Sequence, residues 1–442
     1  MRFTAAMSLA VSLLTVAAGA QVPPSQRQAE TRELLERVQR LESELADLRQ
    51  ELAERAAEEE RQRLAEAEQE RRRQAEQSLA IGRAMERVSV DALIDGFYSY
   101  NFNQPEDGFN GLRAYDRLDR SLGLNQAAVV IEAPTDAASG RRLGARIDLM
   151  VGQATQTLQG GPGNEPRPEL YRPLFQAYGT YVAPLGKGLT VDFGKWASSL
   201  GLEGNYTQTQ VNYSRSLLFN FLPFYHFGVR SRYDFDDRWG ASYWLVNGDG
   251  QSEDFNRSPS HAGFLHWNPH PRLSTNWSYF GGNGNASRPA TPGAGQGMQG
   301  LNLDGKFHIA YSQAVWQAAR RLTLSAEASS VIFRERSASP PQTMLGGGAM
   351  ADIQLAPGWN LGARFEAVSD RGGYYSGTSQ MLREGTLTLS RRLADGLLLR
   401  YEVRQDRSNR PFFLTDRPGE LSSRQTTMLL GVTYWTARDG EW

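Results

Sequence analysis

Apolar and polar residues change their spacing once along this chain, close to residue 88. Between Gln28 and about Val88 apolar positions recur every seven residues: Leu34, Leu41 and Leu48 make one series, Val38, Leu45 and Leu52 the other. With charged residues between them, these are the a and d positions of three heptads, and they predict a coiled-coil seam. The series lapses at Arg55 and Glu59, and the run through Arg71, Arg72 and Arg73 predicts a charged helix with little to bury. Proline and aromatics are missing from the stretch and glycine does not occur before Gly82, which favours one long helix. Roughly 60 helical residues reach about 90 Å at 1.5 Å per residue. The competing reading is a charged, partly disordered linker.

From Ser89 the period becomes two, as in strands with one face toward lipid and the other toward water. In Gly358–Asp370, Trp359, Leu361, Ala363, Phe365 and Ala367 are expected to face outward, and Asn360, Gly362, Arg364 and Glu366 inward. In Gly396–Asp406 the outward set is Leu397, Leu399, Tyr401 and Val403, and the inward set Arg400, Glu402 and Arg404. Leu143, Ala145, Ile147 and Leu149 alternate with Gly144, Arg146, Asp148 and Met150 in the same way. Soluble sandwiches alternate too, so the connections decide. Pro184–Gly188, Asp236–Arg238, Asn268–Arg272, Gln317–Arg321, Ala356–Gly358 and Ala394–Gly396 are short. Between them fall the long Asn103–Ser121, Ala197–Phe221, Asp249–Pro259, Gly281–Asn302, Glu335–Met344, Arg371–Gln380 and Arg407–Ser423. Short turns at one end and long loops at the other are the habit of a transmembrane barrel, here of about 16 strands. Aromatics near strand ends, at Phe97–Phe102, Tyr178, Tyr181, Tyr243, Trp244, Trp277–Phe280, Tyr434 and Trp435, are expected to form its interfacial girdles.

The N-terminus sets the compartment. Arg2, an apolar run from Ala5 to Ala18 and the triplet Ala18, Gly19, Ala20 make a cleavable export leader ending at Ala20. That run is too short to span ~30 Å of hydrocarbon, and no later stretch approaches the roughly 18 apolar residues of a membrane helix. The expected architecture is therefore an all-β transmembrane barrel of antiparallel strands preceded by a long α-helical coiled coil. Its parts are a signal peptide at 1–20, a periplasmic helical stalk at 21–88 and an outer-membrane barrel at 89–442. The expected location is the outer membrane of a Gram-negative-type bacterium, with lipid around the barrel. A formal net charge of −1 gives no argument for nucleic acid as a partner. With no cysteine, the chain has no disulfide framework, thiolate metal site or thiol nucleophile.

Several short stretches resemble the OmpL-like β-barrel porin-2 family: Asp95-Gly96-Phe97-Tyr98 leading into Tyr100-Asn101-Phe102, Leu124-Asn125-Gln126-Ala127, and Gly144-Ala145-Arg146-Ile147-Asp148. Gly194-Lys195, Gly201-Leu202-Glu203, Asn212-Tyr213-Ser214, Val246-Asn247-Gly248 and the closing Gly431-Val432-Thr433-Tyr434-Trp435 are similar as well. The resemblance implies an outer-membrane, channel-like barrel and brings no reaction or substrate with it. Many such barrels stop on an aromatic, whereas here Thr436–Glu441 intervene before Trp442, so the last strand ends at Trp435 or runs on to Trp442.

Strand parity turns Asp95, Arg146, Asp148, Asp192, Arg230, Arg232, Glu327, Arg364, Glu366, Arg400, Glu402 and Arg404 inward. Fixed charges in a narrow lumen filter ions; paired across strands, they only stiffen the wall. The third long loop, Ala197–Phe221, is expected either to fold inward as a constriction, with Glu203, Asn205 and Arg215 toward the pore, or to stay at the surface. Catalytic patterns are weak. His266 and His270 are separated by Pro269 and followed by Pro271, which forbid a helical zinc pair. Gly295–Gly300 spells a dinucleotide fingerprint inside a proline- and glycine-rich loop with no helix to receive a phosphate. The sequence thus predicts no enzyme and no cofactor, but a porin-like channel for passive diffusion of small hydrophilic solutes or ions. The alternative is a structural barrel that tethers the membrane to the cell wall through its coiled coil. The seam predicts a homo-oligomer, a trimer by porin analogy.

Overall fold

The structure is a computed structural model that describes residues 24–85, 87–158, 168–254, 258–283, 305–334 and 336–437. The expected leader, the Gly295–Gly300 stretch and Trp442 lie outside these residues. The chain divides into two compact units at Met85 and Glu86. In the first, α1 (Pro24–Met85) is a single helix of 62 residues, about 93 Å long at the usual rise. Pairs one turn apart, such as Arg55 with Glu51 at 2.7 Å and Arg72 with Glu68 at 2.8 Å, support it. Its seam residues Leu34, Val38, Leu41, Leu45, Leu48 and Leu52 are each at least 49 % exposed in the single chain.

The second unit is a closed antiparallel barrel of sixteen strands. They are β1 (Ser89–Asn101), β2 (Ser121–Ala133), β3 (Leu143–Val151), β4 (Leu174–Ala183), β5 (Leu189–Ala197), β6 (Tyr225–Asp234), β7 (Trp239–Val246), β8 (Ser260–His270), β9 (Leu273–Gly282), β10 (Phe307–Ala319), β11 (Leu322–Phe333), β12 (Gln342–Ala356), β13 (Trp359–Arg371), β14 (Gln380–Ala394) and β15 (Leu397–Ser408). A separate small hairpin of β16 (Phe413–Leu414) and β17 (Leu421–Ser422) precedes the last barrel strand, β18 (Arg424–Trp435). Each strand pairs with its neighbour in sequence, and β18 closes the sheet by pairing Tyr434 with Ile94 and Leu430 with Tyr98 of β1. Closure removes the free edges that an open sheet of this size would expose.

The connections sort by end. Two-residue turns at 357–358 and 395–396 use glycine at positive φ, +72° at Gly358 and +76° at Gly396. The opposite rim carries the long connections, including loop 1 (102–120) and loop 3 (198–224).

The wall is apolar outside, and on β13 to β15 its inner face is mostly polar and charged. Phe365 and Tyr401 are 59 % and 47 % exposed on the outer face, while their neighbours Arg364, Glu366, Arg400 and Glu402 are buried inside. Because adjacent strand residues point to opposite faces, the aromatic pairs expected in the girdles split. Tyr98, Tyr181, Tyr243, Trp277, Tyr279 and Tyr434 face outward, whereas Phe97, Trp244, Phe280 and Trp435 are buried within. Trp239, Trp267 and Trp277 stack in a row, with ring centroids 5.3 and 5.9 Å apart. The closing strand ends at Trp435, with its ring under Arg392 at 5.4 Å.

Candidate functional site: the barrel lumen

Loop 3 leaves β5, crosses the lumen and returns to β6, and most of its residues are buried. The wall makes room for it. A methyl group at Gly431 would overlap the Tyr213 ring, so glycine is required there, and one at Gly346 would displace the end of the Leu218 side chain.

The inward charges of β13 and β15 hold the loop largely by its main chain. Glu402 accepts the N–H groups of Tyr213 at 2.7 Å and Ser214 at 3.0 Å. Glu366 accepts those of Leu217 at 2.7 Å and Leu218 at 3.2 Å. Arg364 donates to the Ser214 carbonyl at 2.7 Å, and Arg400 to the Thr207 carbonyl at 2.9 Å and the Gln210 carbonyl. Arg404 donates to the carbonyl of Arg215. These groups are also linked to one another. Arg364 lies 2.8 Å from Glu203 and 2.7 Å from Glu384, Arg404 2.8 Å from Asp406, and Asp406 2.7 Å from Arg113 of loop 1. Charge-assisted bonds of this kind are roughly twice as strong as neutral ones, and burying them requires that their partners be present.

The remaining candidates fall into three settings. Asp95 accepts from Asn125 at 2.7 Å and from Thr433 at 3.0 Å, and Tyr213 of loop 3 reaches it at 3.2 Å. Asp148 is held by Arg146 at 2.8 Å and accepts from Gln176 and from Tyr206 of loop 3, and Glu327 accepts from Tyr311 and from the Leu202 N–H at 3.3 Å. On β5 and β6, Asp192 pairs with Arg230 at 2.6 Å and Arg232 with Asp234 at 3.0 Å; the two arginine side chains are 24 % and 49 % exposed. Within loop 3, Glu203 accepts the Ser216 N–H at 2.6 Å, Asn205 accepts from Tyr115 of loop 1 at 3.0 Å, and Arg215 donates to carbonyls of the loop itself, Gly204 at 2.9 Å and Tyr213 at 2.8 Å. All three are buried. In loop 1, burial pushes the Asp116 carboxyl up from its ordinary value while nearby Arg113 opposes the shift.

Toward the long-loop rim the lumen is packed. Leu200, Leu217, Leu218, Phe221 and Leu222 of loop 3 join one apolar cluster with wall residues Trp196, Trp244, Phe264, Phe280, Ile309, Val331, Met344, Val368 and Leu382. His226 sits among these rings, 5.2 Å from both Trp244 and Phe280. Toward the short turns the lumen opens. One cavity of about 730 Å³ is lined by polar residues such as Asp237, Arg238, Asn268, His270, Arg272 and Gln317, together with Pro269, Pro271, Leu273 and Val315. Another of about 450 Å³ lies between Gln208–Val211 of loop 3 and Asp352, Asn360, Arg392 and Arg400 of the wall.

Sequence reasoning missed Glu384, Asp406, Arg113 and the apolar inner layer. The inward glycines were the available signal: Gly346, Gly362 and Gly431 interrupt good strands on the side facing the lumen, and each lies against a residue of loop 3.

Residues 87–434 match the family described as "Putative beta-barrel porin-2, OmpL-like". Among solved structures the barrel is similar to an anion-selective porin from Comamonas acidovorans, at 10 % identity and a TM-score of 0.51, over 79 % of this chain and 99 % of that one. The outer membrane channel DcaP of Acinetobacter baumannii gives the same identity and TM-score over 79 % and 97 %. OprB of Pseudomonas putida gives 9 % and 0.51 over 80 % and 96 %. No match is found among curated proteins.

Proposed function

The chain belongs to the OmpL-like porin-2 family of β-barrels, and from that premise we propose that it is a passive outer-membrane channel for small hydrophilic solutes or ions, narrowed by loop 3. The observation that carries this reading is the hollow at the short-turn end, one cavity of about 730 Å³ and a second of about 450 Å³ beside loop 3, inside a wall whose outer face is apolar. A diffusion path needs such a hollow, and a barrel that only anchors has no use for one. Single-channel recording of the purified barrel in planar bilayers tests the reading. Discrete openings are expected; silence at every voltage would sink it.

A second reading is supported by the packed layer between loop 3 and the wall: a structural barrel whose helix tethers the membrane to the cell wall. The same recording separates the two. In both, the leader at 1–20 exports the chain, lipid covers the outer face and the helix lies in the periplasm. The protein carries out no reaction and takes no cofactor. The exposed heptad stripe supports self-association of the helix, in a homotrimer. Substituting Ser for Leu41, Leu45 and Leu48 is expected to reduce the particle to a smaller species on sizing, and an unchanged particle would remove the helix from assembly.

A further inference from the structure

We propose that Arg383, Arg407 and Arg424 form a docking site for a phosphorylated glycolipid on the outside of the barrel, at its long-loop rim. The inference rests on the membrane placement proposed above and adds a specific lipid partner to it. Arg383 of β14 stands opposite Arg407 of β15, and Arg407 opposite Arg424 of β18, so three guanidinium groups occupy one row across adjacent strands. All three are exposed, while the alternating neighbours Leu382, Glu384, Asp406 and Gln425 are buried toward the lumen.

Residues directly opposite in a sheet are about 5 Å apart, and like charges there destabilise the pairing. A row of three needs counter-charge. Among the described residues none of the three is within ion-pair distance of a carboxylate, and the one side-chain hydrogen bond found for them is from Arg407 Nε to Gln405 at 2.7 Å. The acidic groups of the same strands are committed elsewhere: Glu384 to Arg364 and Arg404, and Asp406 to Arg113 and Arg404.

What lies beneath the row identifies the occupant. After one tier of Gly385, Gln405 and Thr426, the outer face becomes apolar, with Leu387, Val403 and Met428 in register, followed by Leu389, Tyr401 and Leu430. An amphiphile with acyl chains along that surface would carry its phosphates to the arginines, whose planar forks suit phosphate oxygens. Free phosphate has no use for the apolar tiers. At the opposite end, the outward Arg391 of β14 is instead spent on the ring of Trp359, 4.9 Å away.

Native mass spectrometry of the detergent-solubilised full chain tests this, with diphosphoryl lipid A, dephosphorylated lipid A and inorganic phosphate as separate probes. Diphosphoryl lipid A is expected to bind at least about tenfold more tightly than its dephosphorylated form, and the combined Arg383→Gln, Arg407→Gln, Arg424→Gln variant to lose that preference. If the triple variant does not fold, as judged by heat-dependent gel mobility, Arg407→Gln alone removes the middle of the row and should weaken binding severalfold. Equal binding by variant and parent overturns the proposal, as does full competition by equimolar inorganic phosphate. A change in oligomer size with lipid binding intact also overturns it, assigning the row to a contact between copies. A parent chain fractionating away from the outer membrane would defeat the membrane placement itself; correct fractionation without lipid preference defeats only the docking site.

Discussion

On β13 and β15, Arg364, Glu366, Arg400, Glu402 and Arg404 are buried and hold loop 3, whereas on β6 Arg230 and Arg232 keep 24 % and 49 % of their side-chain surface open. Both arcs alternate outward and inward residues in the same way. What separates them is a segment lying across one and not the other, so an inward charge is a wall fitting or a lumen lining according to a contact that strand parity does not encode. The strongest way to break the contrast is Arg364→Ala. It leaves Glu203 and Glu384 buried without their shared cation, and removal of one partner from such a cluster costs about 3–5 kcal/mol. Unfolding in urea and detergent should move to clearly lower denaturant; an unchanged midpoint would mean that the cluster does not brace the barrel.

On the open arc the expected effect is on transport and not on stability. Arg232→Glu should shift the reversal potential in a salt gradient toward cation preference, with stability changing by no more than about 0.5 kcal/mol, as at most exposed sites. If Arg364→Ala moved the reversal potential more than Arg232→Glu did, the two arcs would not divide the work in this way. The smallest effect is expected outside the wall, in the turn between β6 and β7. There Asp236 accepts the N–H groups of Arg238 and Trp239, each at 2.7 Å, and these bonds hold its carboxyl below the usual value. A depressed carboxylate stabilises the fold above its ordinary range, and that contribution is lost as pH falls through its folded value. Asp236→Asn should therefore flatten slightly the acid side of the stability profile, followed by thermal unfolding; a profile superimposable on the parent's would deny the turn any part in it.

Legibility in the sequence follows the range of the interactions. Strand faces depend on the next residue along, and Arg364 against Phe365 or Arg400 against Tyr401 could be assigned from alternation alone. The barrel's closure and its strand number followed from the rhythm of turns and loops. Loop 3's anchorage is different in kind: Glu402 meets Tyr213 and Ser214 across 189 and 188 residues of chain. Register shifts such as the one between Asp95 and Gly96 also displace partners without any mark in the pattern. Trp244 and Phe280 passed as girdle positions, and the inner layer they form with Phe264 and Ile309 went unread, because alternation shows that a face is apolar but not what covers it.

The wall grips loop 3 at Tyr213, Ser214, Leu217 and Leu218 through main-chain N–H groups, and at Thr207, Gln210, Ser214 and Arg215 through carbonyls. A clasp on the main chain is indifferent to much of what the side chains are. The four N–H positions thus exclude proline, which has no hydrogen to give, and side chains complete the seat where Tyr213 reaches Asp95 and Leu218 packs in the inner apolar layer. In a lineage of such barrels, the fixed part would be the charged wall together with the main-chain path it grips.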